Sequence, residues 1–202
     1  MNQTVAGPPA VEAHGLVKRY KHVEAVRGID LTVYRGETFG FLGPNGAGKS
    51  TTIKILCTLV DATAGTARVA GFDVASERDA VRRNIGLVYQ EPTLDGYLTA
   101  EQNLRFHGEL YGVDRATAAD RRHEVLEMVG LWERRGDLVN EFSGGMRRRL
   151  EIARGLLHSP RVLFLDEPTI GLDPQTRVSI WRYIAELRAR GDITVFVTTH
   201  YM

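Results

Sequence analysis

Gly43-Pro44-Asn45-Gly46-Ala47-Gly48-Lys49-Ser50 follows the spacing G-x-x-x-x-G-K-S/T, in which each residue type has a use against phosphate. Glycines let backbone N–H groups close around phosphate oxygens without side-chain clashes. Lys49 adds a point charge for the β- and γ-phosphates, and Ser50, followed by Thr51, offers a hydroxyl oxygen to Mg²⁺. A purely structural turn would account for the glycines but not for the lysine. A second group, Asp166-Glu167, closes the apolar run Val162-Leu163-Phe164-Leu165. Asp166 there can enter a Mg²⁺ shell, and Glu167 can orient or deprotonate an attacking water. A third group, Ser143-Gly144-Gly145, precedes a helical stretch, and a serine with two glycines at a helix N-terminus makes a second anion site.

These groups need elements to hold them. Residues 11–20 and 23–34 alternate as strands, and Thr38–Leu42 is a short apolar strand running into the first glycines. From Lys49 to Val60 the pattern is helical, with Ile53, Leu56, Cys57 and Val60 at i, i+3, i+4 and i+7. That helix presents its positive N-terminal end to the glycine loop. Cys57 lies on its buried face, as a packed, inert thiol. Residues 65–70 read as a strand, 77–84 as a helix, and 85–89 as a strand ending at Gln90. Thr99-Ala100-Glu101-Gln102 is a capping box that opens a helix to about Tyr111. A second helix spans about Ala116 to Val129, so residues 91–142 form a helical block inserted in an α/β core. His107 shares a face with Leu104 and Tyr111 and reads as packing. A helix from about Pro174 to Ala189 and a strand over 193–198 complete the pattern. Alternating strands and helices predict a mostly parallel sheet with helices on its faces.

The chain has 202 residues, enough for one domain with a subdomain. Lys plus Arg number 26 and Asp plus Glu 25, which gives no whole-chain electrostatic reason to bind nucleic acid or an anionic membrane. No apolar run approaches the roughly 18 residues that a membrane span needs. One cysteine excludes an internal disulfide framework and fits a reducing compartment. Residues 1–10 carry neither the basic start nor the apolar core of a signal peptide and read as a loose tail. The expectation is a cytoplasmic protein.

In this order the three motifs resemble the nucleotide-binding domain of ATP-binding cassette (ABC) proteins, from about residue 11 to the end. The resemblance implies a P-loop NTPase core of α/β class with a mostly parallel sheet. It also implies an antiparallel β region near the N-terminus and a helical subdomain made of residues 91–142 and the helix after Gly145. It implies ATP and Mg²⁺ as ligands and ATP hydrolysis as the reaction. Ser143, Gly144 and Gly145 become the signature that contacts ATP held by a second cassette, so two domains must meet. Gln90 becomes the switch glutamine that reaches Mg²⁺ and the water. His200 becomes the switch histidine at the γ-phosphate, Asp173 the aspartate coupling the two sites, and Tyr20 the aromatic that stacks on adenine. Ser143 to Leu150, Ala70 to Val74 and Thr199 to Met202 most resemble the daunorubicin-type drug-resistance exporters, whose ABC-2 permease is a separate chain. The location implied is the inner face of the cell membrane, through that permease.

The chain also departs from the pattern. Met146 stands where the signature usually has glutamine, and Phe142 replaces a leucine. Family members continue beyond the switch histidine with a helix and further strands, so the expectation is a domain whose C-terminal part is missing. Arg147, Arg148 and Arg149 read as a solvated helix face. Two alternatives stand beside the transporter subunit. One is an ABC ATPase acting on a macromolecular complex, whose members commonly carry two cassettes or a long coiled-coil insertion. The other is an ATP-binding fragment without catalysis.

Overall fold

A computed structural model describes residues 8–189 and 193–199. In chain order the elements are β1 (Val11–Tyr20), β2 (Val23–Val33), β3 (Thr38–Leu42), α1 (Lys49–Leu56), β4 (Ala64–Val69), β5 (Phe72–Asp73) and α2 (Arg78–Asn84). They continue with β6 (Ile85–Val88), α3 (Ala100–Leu110), α4 (Ala118–Met128), α5 (Gly144–Leu156), β7 (Val162–Asp166), α6 (Pro174–Ala189) and β8 (Thr194–Thr199).

Two sheets divide these strands. One is antiparallel with order β2-β1-β4-β5, and the other is parallel with order β3-β8-β7-β6. Alternation along the parallel strands feeds two cores. Leu163, Leu165, Val195 and Val197 point into a cluster shared with α3, α4, α5 and α6. Val162, Phe164 and Phe196 point the other way, into a cluster shared with α1 and the antiparallel sheet. Both faces of β7 and β8 are therefore buried, which is why their sequences read as unbroken apolar runs.

The antiparallel N-terminal sheet and the parallel core are those the sequence predicts. Three local details differ. α1 stops at Leu56 rather than Val60, because Thr58 takes a left-handed φ of 61° that ends the helix. The short β5 pairs with the end of β4 across the Ala70-Gly71 turn and has no signal in the sequence pattern. The run Arg147–Arg149 is not a solvated face: Arg148 is buried, and its two neighbours are half-buried. The capping box forms as expected, with the Gln102 N–H donating to Thr99 Oγ1 at 3.2 Å and the Thr99 N–H to Gln102 Oε1 at 2.9 Å. Among the described residues no helix is long and apolar enough to cross a membrane.

Candidate functional site

In a parallel sheet all strands end on the same edge, so loops that follow different strands become neighbours. Here that edge collects the loop after β3, the Asp166-Glu167 pair at the end of β7, Thr198 in β8 and Gln90 beyond β6.

The loop after β3 turns into α1 through Gly48, whose φ of 87° lies in the left-handed region. A Cβ there would lie 2.1 Å from the Ala25 carbonyl oxygen, so no side chain fits. The Gly48 carbonyl accepts the first helical bond from the Thr52 N–H at 2.8 Å. The first turn of α1 has no acidic residue, so its N-terminal dipole stays available to an anion. Lys49 is only 7% exposed, and its Nζ donates to the carbonyls of Gly43 at 2.7 Å and Pro44 at 3.1 Å. The same ammonium lies 3.5 Å from Glu167 Oε1.

Asp166 is the meeting point of three elements. Its Oδ1 accepts from Ser50 Oγ at 3.2 Å and from Thr198 Oγ1 at 2.6 Å. Thr198 Oγ1 in turn accepts from the Glu167 N–H at 3.0 Å. Glu167 itself has a φ of 48°, a strained choice for a residue with a side chain, costing on the order of 1–3 kcal/mol. Thr198 is fully buried and was hidden in the sequence as one more β-branched residue of an apolar strand.

The hydroxyl of Ser50 and the carboxylate of Asp166 are hard oxygen donors held together, which suits Mg²⁺. Among the described residues no cluster of three or more His, Cys, Asp or Glu side chains could hold a metal. The pair thus fits a metal that also takes water and phosphate oxygens, rather than one caged by protein alone.

Asn45, Gly46, Gly48, Lys49, Ser50, Thr51, Gln90 and Glu167 line one open cavity of about 470 Å³, together with Val23 and Ala25 of β2. Tyr20 does not line it. It pairs with Val23 across the β1–β2 hairpin, is 44% exposed, and carries Lys18 Nζ 5.0 Å from its ring centroid. It therefore neighbours Val23, one of the lining residues.

Ser143, Gly144 and Gly145 are elsewhere. Ser143 Oγ caps α5 by accepting from the Met146 N–H at 3.3 Å. Ser143 and Gly145 face a separate depression beside Thr176 and Tyr183 of α6, not the Lys49 cavity. Asp173 caps α6, accepting from the N–H groups of Gln175 at 3.1 Å and Thr176 at 3.0 Å. Those bonds, with the Thr176 side chain foremost, hold its carboxyl below the usual range. The chain thus brings Gly43–Thr51, Gln90, Asp166 and Glu167 together and leaves Ser143–Gly145 and Asp173 outside that cavity. His200 lies outside the described residues. Cys57 is buried at the C-terminal cap of α1, and burial raises its thiol pKa well above the usual value, which makes it inert as expected.

A phosphate loop after β3, a carboxylate pair at the end of β7 and a buried threonine on β8, the strand between them, define a P-loop nucleotide-binding domain. The chain belongs to the ABC transporter family, whose pattern matches residues 26–170. It is 48% identical over 193 residues to the daunorubicin/doxorubicin resistance ATP-binding protein DrrA of Streptomyces peucetius, covering 96% of this chain and 58% of that one. It is 44% identical over 192 residues to the linearmycin resistance ATP-binding protein LnrL of Bacillus subtilis strain 168, covering 95% and 61%. The chain therefore spans about three fifths of the length of these curated relatives. Among solved structures, cbiO1 from Clostridium perfringens, part of the ABC transporter complex cbiONQ, superposes with a TM-score of 0.88 at 26% identity, covering 96% of this chain and 80% of that one. The ADP conformation of MJ1267, an ATP-binding cassette of an ABC transporter, superposes at 0.85 with 25% identity, covering 97% and 83%.

Proposed function

We propose that this chain is the ATP-binding and ATP-hydrolysing part of an exporter, driving a separate transmembrane permease by ATP-dependent pairing with a second nucleotide-binding domain, here a second copy. The observation that carries the reading is the convergence of Lys49, Ser50, Asp166 and Glu167 on one sheet edge, with Gln90 on the same cavity. The exporter assignment draws on likeness to the drug-resistance proteins.

In this reading backbone N–H groups of Gly43 to Thr51 hold the phosphates, Lys49 pairs with them, and Tyr20 stacks on the adenine. Ser50, Asp166 and Gln90 would hold Mg²⁺, which supplies charge neutralisation on the phosphates. Glu167 accepts the proton of the attacking water, and Thr198 keeps Asp166 and the Glu167 backbone in place. His200 supports the same attack. Ser143, Gly144 and Gly145 lie away from the chain's own phosphate loop, so they serve the nucleotide of the partner domain, with Asp173 at the seam. Residues 91–142 together with α5 act as the helical subdomain. Its surface exposes Tyr97 (87%), Phe106 (60%) and Leu110 (67%), apolar area suited to a permease contact. In this reading the chain works at the cytoplasmic side of the membrane, held there by the permease.

The test is Mg²⁺-ATP turnover of the chain against its concentration. Turnover that rises more than linearly supports a site completed by a second copy. Absence of ATP binding would end the reading.

A further inference from the structure

Arg148, Glu151 and Arg154 form a stripe along one face of α5, and that stripe grips the backbone on both sides of Gln90. Arg148 Nη1 donates to the Tyr89 carbonyl and, at 2.9 Å, to Glu151 Oε2. Glu151 Oε1 accepts from the Thr93 N–H at 2.8 Å. Arg154 donates to the Thr93 carbonyl at 2.9 Å and to the Thr93 hydroxyl. The same Arg148 guanidinium also brackets Glu167. Its Nη2 donates to the Asp166 carbonyl at 3.2 Å and its Nε to the Pro168 carbonyl at 2.8 Å.

We infer that Arg148 is a positioning residue for hydrolysis, holding Gln90 and Glu167 in one mutual geometry and tying that geometry to the helix that begins at Ser143. The inference rests on the ATPase reading above. Arg148 is 6% exposed and Glu151 2%, yet a buried ion pair adds little net stability over well-packed apolar residues of equal volume. What the pair supplies is direction. A planar guanidinium presents its donors along fixed lines, here to three carbonyls and one carboxylate, and a lysine ammonium cannot span them. A displacement of α5, whose first residues would face a partner's nucleotide, therefore moves the backbone around Gln90 and Glu167 as one piece.

The experiment is steady-state Mg²⁺-ATP turnover, with binding of a fluorescent ATP analogue, for the full chain and its Arg148→Lys, Gln90→Ala and doubly substituted forms. Arg148→Lys keeps the charge beside Glu151 and loses the fork. We expect kcat to fall about tenfold or more, with KM and analogue affinity within about threefold. The double variant should lose less than the product of the two single losses, since both act on the same segment. If Arg148→Lys does not fold, Glu151→Gln takes its place. It retains an acceptor for the Thr93 N–H, gives up the charged contact, and should lower kcat by about threefold or more at unchanged KM. Turnover within about twofold of the parent, a KM that rises with the fall in kcat, or losses that simply multiply would each overturn the role of Arg148. Failure of the parent chain to bind or turn over ATP would instead remove the reading underneath, and this inference with it.

Discussion

Lys49 Nζ, from the first turn of α1, lies 3.5 Å from Glu167 Oε1, at the end of β7, and both side chains are buried. The residue that would hold phosphate and the residue that would take the proton thus neutralise one another. In the proposed function a ligand phosphate would compete with Glu167 for Lys49, which would link binding and readiness for hydrolysis through this one pair.

Glu167→Gln should separate the two steps. A neutral amide loses the proton acceptor, and turnover should fall at least about 100-fold. It also stops competing for Lys49, so ATP affinity should hold or rise, and ATP-bound dimer should accumulate. Hydrolysis at the parental rate, measured by phosphate release, would rule out Glu167 as the base. Lys49→Ala, by contrast, should weaken ATP binding by about 10- to 100-fold through loss of a charge-assisted bond.

Thr198→Val keeps the shape of the side chain and removes the hydroxyl shared by Asp166 Oδ1 and the Glu167 N–H. The expected cost is about 1–3 kcal/mol of stability, seen in denaturant melts. Turnover should fall more than ATP affinity, because the hydroxyl holds the Asp166 carboxylate and the Glu167 backbone rather than a phosphate-binding group. A variant as stable and as active as the parent would refute the bracing role.

Gly86→Ala probes the seam between the sheet and α5. A Cβ at Gly86 would lie 2.2 Å from the Gly155 carbonyl oxygen, which is backbone and cannot rotate away. The helix must shift, at a cost of about 1–3 kcal/mol. Because α5 carries Arg148, catalysis should suffer as well as thermal stability. A melting temperature equal to that of the parent would show that the seam is looser than its geometry.

His107 and His158 both stack against Tyr111, with centroids 4.4 Å and 4.2 Å from that of its ring and 5.9 Å from each other. His158 donates its Nε2–H to the Ile85 carbonyl at 2.8 Å, so its other nitrogen is unprotonated when neutral. Burial holds the His107 pKa down to about 4 and that of His158 below its ordinary value, with Arg154 and Arg121 adding repulsion respectively. In the unfolded chain both titrate near about 6.5. Below that pH the unfolded chain takes up protons that the native one refuses, so stability falls as pH drops from about 6.5 towards 4, and is unaffected above it. His107→Leu should flatten the fall in melting temperature between pH 7 and 5. It should change little near pH 8, since His107 Nε2 is buried with no hydrogen-bond partner among the described residues. An unaltered slope would exclude His107 as a contributor.

Much of this site was legible in the chain because local rules write it. The glycine spacing, the lysine at the helix start and the carboxylate pair closing an apolar strand each need only neighbours within a few residues. The alternation of strands and helices was enough for the parallel core, and the antiparallel N-terminal sheet came with the family resemblance. The capping box at Thr99 is likewise a contact between residues three apart.

Arg148 and Thr198 could not be read this way. An arginine inside Arg147–Arg149 has the same local pattern whether it meets water or protein. Its burial follows from α5 packing against β6 and from the carbonyls of Tyr89, Asp166 and Pro168, which lie 18 to 59 residues away in the chain. Thr198 joins Asp166 only because β8 lies beside β7 in a register that pairs those two positions. The sequence by itself determined which side chains could do phosphate chemistry and the order in which strands and helices follow. Only the tertiary structure decided which loops share an edge and which polar groups lose their water. Those outcomes depend on strand order and helix packing, and such contacts between distant residues leave no periodic trace along the chain.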